Sequence, residues 1–130
     1  MTAVGTELPP LALDVSARLI VGGAFASRDF QDVHHDSAAA RERGSTDIFM
    51  NILTTQGLVS RFVTDWAGPS AWVRSIKIRL GVPNYVGDRM TLTGAVSAVD
   101  GDDVEVAVRG ANSLGDHVTG VVRVSLGGAS

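Results

Sequence analysis

The hydrophobic pattern changes its period once along the chain, at Gly68-Pro69. Within residues 51–69, apolar side chains recur at steps of three and four, which is typical of an amphipathic helix. From residue 71 onward, apolar and polar residues alternate, which is typical of strands with one face in solvent. The helical stripe and the sheet face must cover each other. The pattern therefore predicts an α+β fold in which one long helix lies across an antiparallel sheet.

Turn signals divide the second half into about four strands. Asp100-Gly101 and Gly115-Asp116 stand where tight hairpins are expected. The strand segments are "AWVRSIKIRL", "MTLTGAVSAV", "VEVAVRGA" and "HVTGVVRVSL". Such a sheet keeps an open edge and an incompletely covered face. We therefore expect a dimer or a larger assembly.

The first third of the sequence is predicted to form an extended lead-in, one strand and a short helix. Two consecutive prolines make residues 1–14 extended, and "ARLIVGGAFA" (residues 17–26) is interpreted as a strand that passes close to other backbone at its paired glycines. The short helix begins at Asp36 or Ser37 and ends at a left-handed Gly44.

Length and composition limit the functional classes. The 130 residues fit one domain, 1–130, and the formal net charge of −3 disfavours nucleic acid as a partner. The longest apolar runs are too short to cross a bilayer. There is no cysteine for a disulfide or a thiolate metal site, so we expect a cytoplasmic protein.

A candidate acid–base pair lies in residues 25–44, where acids and histidines are concentrated. Asp29 and His34 are five residues apart, so they can meet only through a turn and not on one helix face. Together they could act in general acid–base catalysis. The alternative is an ordinary loop histidine bonded to a carboxylate. His35 could do the same chemistry, and only the five-residue spacing favours His34 as the catalytic histidine. Two adjacent histidines with no third ligand cluster predict no metal site.

The same segment resembles the MaoC-type (R)-specific enoyl-CoA hydratases. Their motif D-x-N-P-x-H keeps its acid and its histidine here as Asp29 and His34, with Gln31 and Asp32 at the usual Asn and Pro positions. The stretches "GVPNYVGDRMTLTGAV" and "SLGDHVTGVVRVSL" are similar to later parts of that family. The resemblance implies a hot-dog fold over nearly the whole chain, a curled antiparallel sheet wrapped around one long central helix.

The resemblance also implies a reaction, the syn addition of water to an α,β-unsaturated acyl-CoA without a separate cofactor. It makes Asp29 the principal base and His34 the water-orienting partner and proton donor. The backbone N–H of Asn51, at the start of the long helix, is a candidate donor to the thioester oxygen, although Asn51 could equally be only the helix cap. Gly57 costs about 1 kcal/mol against alanine in mid-helix, which predicts a close approach there.

Three further segments resemble the small subunits of heteromeric steroid enoyl-CoA hydratases from cholesterol-degrading actinobacteria. They are "RDFQDVHHD", "DIFMNILTTQGLVSRFVTDWAGPSA" and "RLGVPNYVGD". This resemblance implies a larger MaoC-like partner subunit in a heterodimer or heterotetramer. It also implies a C17–C20 unsaturated pregnene-carboxyl-CoA substrate, and an association with the steroid aldolase that acts next.

Two other functions remain open. Hot-dog domains also include acyl-CoA thioesterases, whose sites usually place a carboxylate on or beside the central helix, and Asp47 is the acid near that helix start. The chain could also be a non-catalytic subunit that stabilises a larger hydratase chain. His117 falls on the polar phase of the last predicted strand and is expected at the surface.

Overall fold

A long helix lies across one face of a five-stranded antiparallel sheet in the computed structural model, which describes residues 2–127. The helices are α1 (Ala17–Ala26), α2 (Ser37–Glu42) and α3 (Ile52–Ala67), with a 3-10 turn at Asp32–His34. The strands are β1 (Leu11–Asp14), β2 (Trp72–Leu80), β3 (Arg89–Asp100), β4 (Asp103–Asn112) and β5 (Gly115–Ser125). The predicted α+β class is confirmed.

The four strands of the second half form as predicted, but they do not pair strictly in chain order. The sheet order is β1-β3-β4-β5-β2, and every pairing is antiparallel. The turns at Gly101 (φ 62°) and Gly115 (φ 134°) use the left-handed conformations that hairpins require. Because β2 pairs with β5 and not with β3, β1 and β2 are the two edges of the sheet.

Helix α3 fills the concave side of the sheet and supplies the centre of the core. Its buried apolar side chains recur at helical spacing and are Leu58, Val59, Phe62 and Val63. They belong to the same core cluster as the inward-facing residues of the sheet, among them Met90, Leu92, Val96, Val106 and Val122. The helix begins after the cap Asn51 and ends at Gly68 (φ 93°), as the sequence predicts.

Residues 17–26 form helix α1, so the predicted strand is wrong. Ser16 caps this helix by accepting a hydrogen bond from Leu19 N–H (3.1 Å). Ile20 and Ala24, one helical turn apart, are its buried residues. The predicted close approach at the paired glycines does occur, but against a neighbouring helix: a Cβ placed on Gly23 would lie 2.1 Å from Thr54 Oγ1 of α3.

The N-terminal lead-in joins the sheet. Leu8 N–H donates to Gly94 O (2.9 Å), Glu7 forms an isolated bridge with Ala95, and β1 then pairs with β3. Extended backbone ahead of β1 was predicted, whereas the edge strand itself was not. No helix within residues 2–127 is both long enough and apolar enough to span a bilayer.

Candidate active site

The loop after α1 brings Asp29 and His34 together. Arg28 adopts φ 59°, which turns the chain, and Asp29 N–H donates to Ala24 O (2.8 Å) at the end of the helix. The 3-10 turn then folds His34 back, so that His34 Nε2 lies 3.4 Å from Asp29 Oδ2. His34 is buried and Asp29 is partly buried. The two side chains that the motif singles out therefore share one site.

Backbone contacts set the tautomer of His34. Its Nδ1 lies 2.7 Å from Phe49 O, and its ring packs edge-on against the Phe49 ring. A carbonyl oxygen only accepts, so Nδ1 holds a proton and donates it to that oxygen. In the neutral imidazole, Nε2 is then an acceptor, as is the ionised carboxylate of Asp29. Two acceptors 3.4 Å apart suit a water molecule that donates one hydrogen to each.

Asn51 connects the start of α3 to this pair. Its Oδ1 accepts from Thr54 N–H (3.2 Å), so the predicted helix cap is confirmed. Its amide Nδ2 donates to Ser27 Oγ (2.9 Å) and to Asp29 Oδ2 (3.2 Å). This second contact is not predictable from sequence, because nothing in the spacing of residues 29 and 51 shows that the loop and the helix start meet.

His34 and Asn51 of this site line a cavity of about 200 Å³, whereas Asp29 lies behind them and is not one of its lining residues. Its polar wall is formed by His34, Asn51 and His117. The remaining lining residues are mostly apolar and come from two segments, the start of α3 with the residues before it (Phe49, Met50 and Ile52) and the end of β2 with the residues after it (Leu80, Gly81, Val82 and Pro83). Apolar walls with a few polar groups at one end are typical of small-molecule sites. Among the hydrogen bonds of residues 2–127, none uses the Asn51 backbone N–H.

His117 lines this cavity and is buried, so the predicted surface position is wrong. Its Nδ1 donates to Val82 O (2.7 Å), and its Nε2 lies 2.8 Å from Thr55 Oγ1 of α3. The alternation breaks at a bulge, because β5 residues 116 and 118 pair with the consecutive β4 residues 111 and 110. The extra residue turns inward with its neighbour Val118. Burial lowers the pKa of His117.

Gly57 lies on the exposed side of α3, away from any close contact within the described chain. A Cβ placed there has no atom within 4 Å. The predicted close approach is therefore not made by residues 2–127, and a role toward substrate or a partner subunit stays a prediction.

The other titratable candidates have structural contacts. Asp47 accepts from Ile48 N–H (2.7 Å) and from Arg41 (3.2 Å), and a hydrogen bond from Ser37 is the main cause that lowers its pKa. Asp36 caps α2 through Ala39 N–H. His35 is exposed, and its Nε2 lies 3.3 Å from Phe30 O.

Comparison with known proteins assigns the family. No protein-family model matches the chain. The chain is 56% identical over 126 residues to the 3-oxo-4,17-pregnadiene-20-carboxyl-CoA hydratase beta subunit of Mycobacterium tuberculosis, covering 97% of this chain and 98% of that protein.

Solved structures agree with this similarity. A chain in the crystal structure of the ChsH1-ChsH2 complex from M. tuberculosis superposes with a TM-score of 0.94 at 56% identity, covering 96% of this chain and 98% of that chain. The (R)-hydratase of A. caviae involved in PHA biosynthesis gives a TM-score of 0.87 at 22% identity, covering 95% and 96%, and supports the fold alone. The predicted hot-dog fold is confirmed. The chain belongs to the family of the 3-oxo-4,17-pregnadiene-20-carboxyl-CoA hydratase beta subunit.

Proposed function

We propose that this chain is the beta subunit of a heteromeric enoyl-CoA hydratase that adds water across the conjugated double bond of a steroid side-chain CoA thioester. The observation that supports the chemistry most directly is the 3.4 Å approach of His34 Nε2 to Asp29 Oδ2 beside an apolar cavity. The relative's name, 3-oxo-4,17-pregnadiene-20-carboxyl-CoA hydratase beta subunit, supports the substrate class. We further propose a cytoplasmic location, which suits a CoA thioester as substrate.

The pair can activate one water molecule. Asp29 and neutral His34 each accept one hydrogen from it, and removal of one of these protons leaves an oxygen nucleophile for the β-carbon. The Nδ1 proton of His34 is held by Phe49 O, so His34 can deliver a proton only after receiving one at Nε2. The pair gains one proton from water and returns one to the α-carbon. Because both transfers occur at one site, hydroxyl and hydrogen add to the same face.

The electrons displaced by this attack move to the thioester oxygen, which needs hydrogen-bond donors as it becomes an enolate. Asn51 lines the cavity and precedes a 16-residue helix, whose N-terminus favours negative charge through the helix dipole. We therefore retain the Asn51 backbone N–H as the donor of this proposal. No cofactor beyond the CoA of the substrate is required.

The partner in this proposal is a larger MaoC-like subunit, and the downstream steroid aldolase is a further associate. The relative is itself a beta subunit, and the similar solved chain was crystallised as part of a two-protein complex. The two edge strands β1 and β2 leave the sheet open to such an assembly.

The thioesterase alternative has less support. Asp47, the carboxylate it requires near α3, is engaged by Arg41 and by Ile48 N–H, whereas Asp29 lies beside the cavity-lining His34. The relative is named as a hydratase. A purely stabilising subunit would not require an acid held beside an imidazole that lines a cavity.

The test is an assay of the complex, co-expressed from this chain and its partner subunit, on steroidal and short-chain enoyl-CoAs. Hydration removes the absorbance of the conjugated thioester, whereas hydrolysis releases free thiol. We expect hydration of the steroidal substrate, and a loss of about 100-fold or more in kcat for Asp29→Asn and for His34→Ala, because each removes a proton acceptor.

The matched control is His35→Ala, which removes the exposed neighbouring imidazole. We expect it to leave hydration close to that of the unmodified complex. Full activity of an Asp29→Asn/His34→Ala double variant in an assembled complex would show that the pair is vestigial in this chain.

A further inference from the structure

We propose that the side chain of Asn51 is a positioning residue for Asp29, so that the cap of the central helix also orients the candidate base. The inference rests on the proposed hydratase function. It concerns the side-chain amide, which is separate from the backbone N–H proposed above as a donor to substrate.

The orientation of the Asn51 amide is set by its neighbours. Thr54 N–H can only donate, so the atom facing it at 3.2 Å must be the carbonyl Oδ1. The opposite end, Nδ2, then faces Asp29 Oδ2 and Ser27 Oγ. Ser27 Oγ itself donates to Gly23 O (2.7 Å), which leaves it free to accept from the amide. Every polar atom of this buried side chain therefore has a partner that agrees with one orientation.

The amide binds the same carboxylate oxygen that approaches the imidazole. Asp29 Oδ2 lies 3.2 Å from Asn51 Nδ2 and 3.4 Å from His34 Nε2. Within residues 2–127, the other oxygen, Oδ1, has only a long contact of 3.4 Å with Gln31 N–H. Donation to Oδ2 fixes which oxygen faces His34. Without it, the carboxylate could rotate toward solvent, because the side chain is partly exposed.

Asn51 thus has two separable tasks, capping α3 through Oδ1 and orienting Asp29 through Nδ2. Asn51→Asp keeps an acceptor for Thr54 N–H and remains a good cap, but it replaces the donor by a carboxylate beside Asp29. Asn51→Ser also keeps a cap oxygen and removes the amide without adding charge. A role in capping alone predicts that Asn51→Ser, which adds no charge, keeps the rate and the pH profile of the unmodified complex.

The experiment measures kcat/KM against pH for the co-expressed complex with both variants. We expect Asn51→Asp to lower kcat/KM at neutral pH by about tenfold or more, and to move the acidic limb of the profile upward by about one pH unit. Asn51→Ser should lower kcat/KM in the same direction by a smaller factor and keep KM close to its original value. Asn51→Ser tests the positioning role by itself if the Asn51→Asp variant does not assemble with the partner subunit.

The matched control is Asn112→Asp. Asn112 also donates two hydrogen bonds, to Pro83 O and Asn84 Oδ1, and accepts one from Leu114 N–H, but it has no contact with Asp29. We expect it to lower the thermal midpoint without moving the acidic limb.

The outcomes separate the two proposals. If the unmodified complex hydrates no enoyl-CoA, or if Asp29→Asn is fully active, the proposed function fails. If the complex is active, Asp29→Asn is inactive, and the Asn51 variants match the unmodified complex in rate and pH profile, the positioning role alone is refuted.

Discussion

Replacing Gly23 by alanine tests the contact between α1 and α3 that supports the site. A Cβ at this position would lie 2.1 Å from Thr54 Oγ1, 2.8 Å from Thr54 Cγ2 and 3.0 Å from Thr54 Cβ. Rotation of the threonine side chain does not relieve the overlap, because Cβ does not move with it and a β-branched side chain has few alternatives in a helix. The two helices must therefore separate, and Thr54 N–H, which binds the Asn51 cap, moves with them.

The size of the stability loss caused by Gly23→Ala follows from a comparison with Gly22→Ala. Both glycines lie within α1, and alanine at either gains up to about 1 kcal/mol of helix propensity. A Cβ on Gly22 meets nothing within 4 Å, so Gly22→Ala should stabilise the chain by about that amount. Gly23→Ala has the same gain but adds an overpacking cost of about 1–3 kcal/mol. The difference in the free energy of unfolding between the two variants therefore measures the helix contact. We expect Gly23→Ala to be less stable than Gly22→Ala by about 1–3 kcal/mol.

The assay compares thermal midpoints and hydration rates of the two variant complexes. We expect the thermal midpoint of Gly23→Ala to be several degrees lower than that of Gly22→Ala. The conversion is roughly 4 °C per kcal/mol for a domain of this size. We expect the hydration rate to fall in the same variant, because the displaced turn holds Asn51. Equal midpoints and equal rates for the two alanine variants would refute this account of the helix contact.

The remaining predictions concern Gly57 and His117. Gly57→Ala should not reduce the stability of the chain, since its Cβ would be in open space; a loss of assembly or activity, seen by sizing and by the hydration assay, would show that substrate or partner approaches there. Thr55→Val leaves the buried His117 Nε2 without its hydrogen-bond donor. We expect it to lower the free energy of unfolding, measured in urea, by about 1–3 kcal/mol. Because burial lowers the pKa of folded His117, the unfolded chain binds the proton first, so stability should fall as the pH drops below about 6.5. His117→Gln should reduce that pH dependence, and an unchanged dependence would exclude His117 as its source.

The elements with long-range periodicity could be predicted from sequence. Helix α3 and the strands β2 to β5 have enough residues for their period to be clear, and Asn51 and Gly68 mark the helix ends with recognised capping chemistry. The proximity of Asp29 and His34 was predictable only because the family resemblance supplied a meaning for their spacing.

Helix α1 shows where a short apolar segment misleads. Its ten residues contain two glycines and few polar residues, so the strand and helix patterns are hard to tell apart. Ser16, a good N-cap residue directly before the segment, is the local signal that favours the helix. The partner of Gly23 is Thr54, thirty-one residues later, and no local pattern reveals that contact.

The bulge in β5 has a consequence for comparing related sequences. Beyond it, residues 118–125 pair regularly with β4, so a one-residue deletion between Gly115 and Val118 could leave that part of the core unchanged. The same deletion would remove an imidazole from the cavity wall in a single evolutionary step. Homologues that differ by one residue in this turn can therefore differ in the polarity of the cavity while their strands superpose.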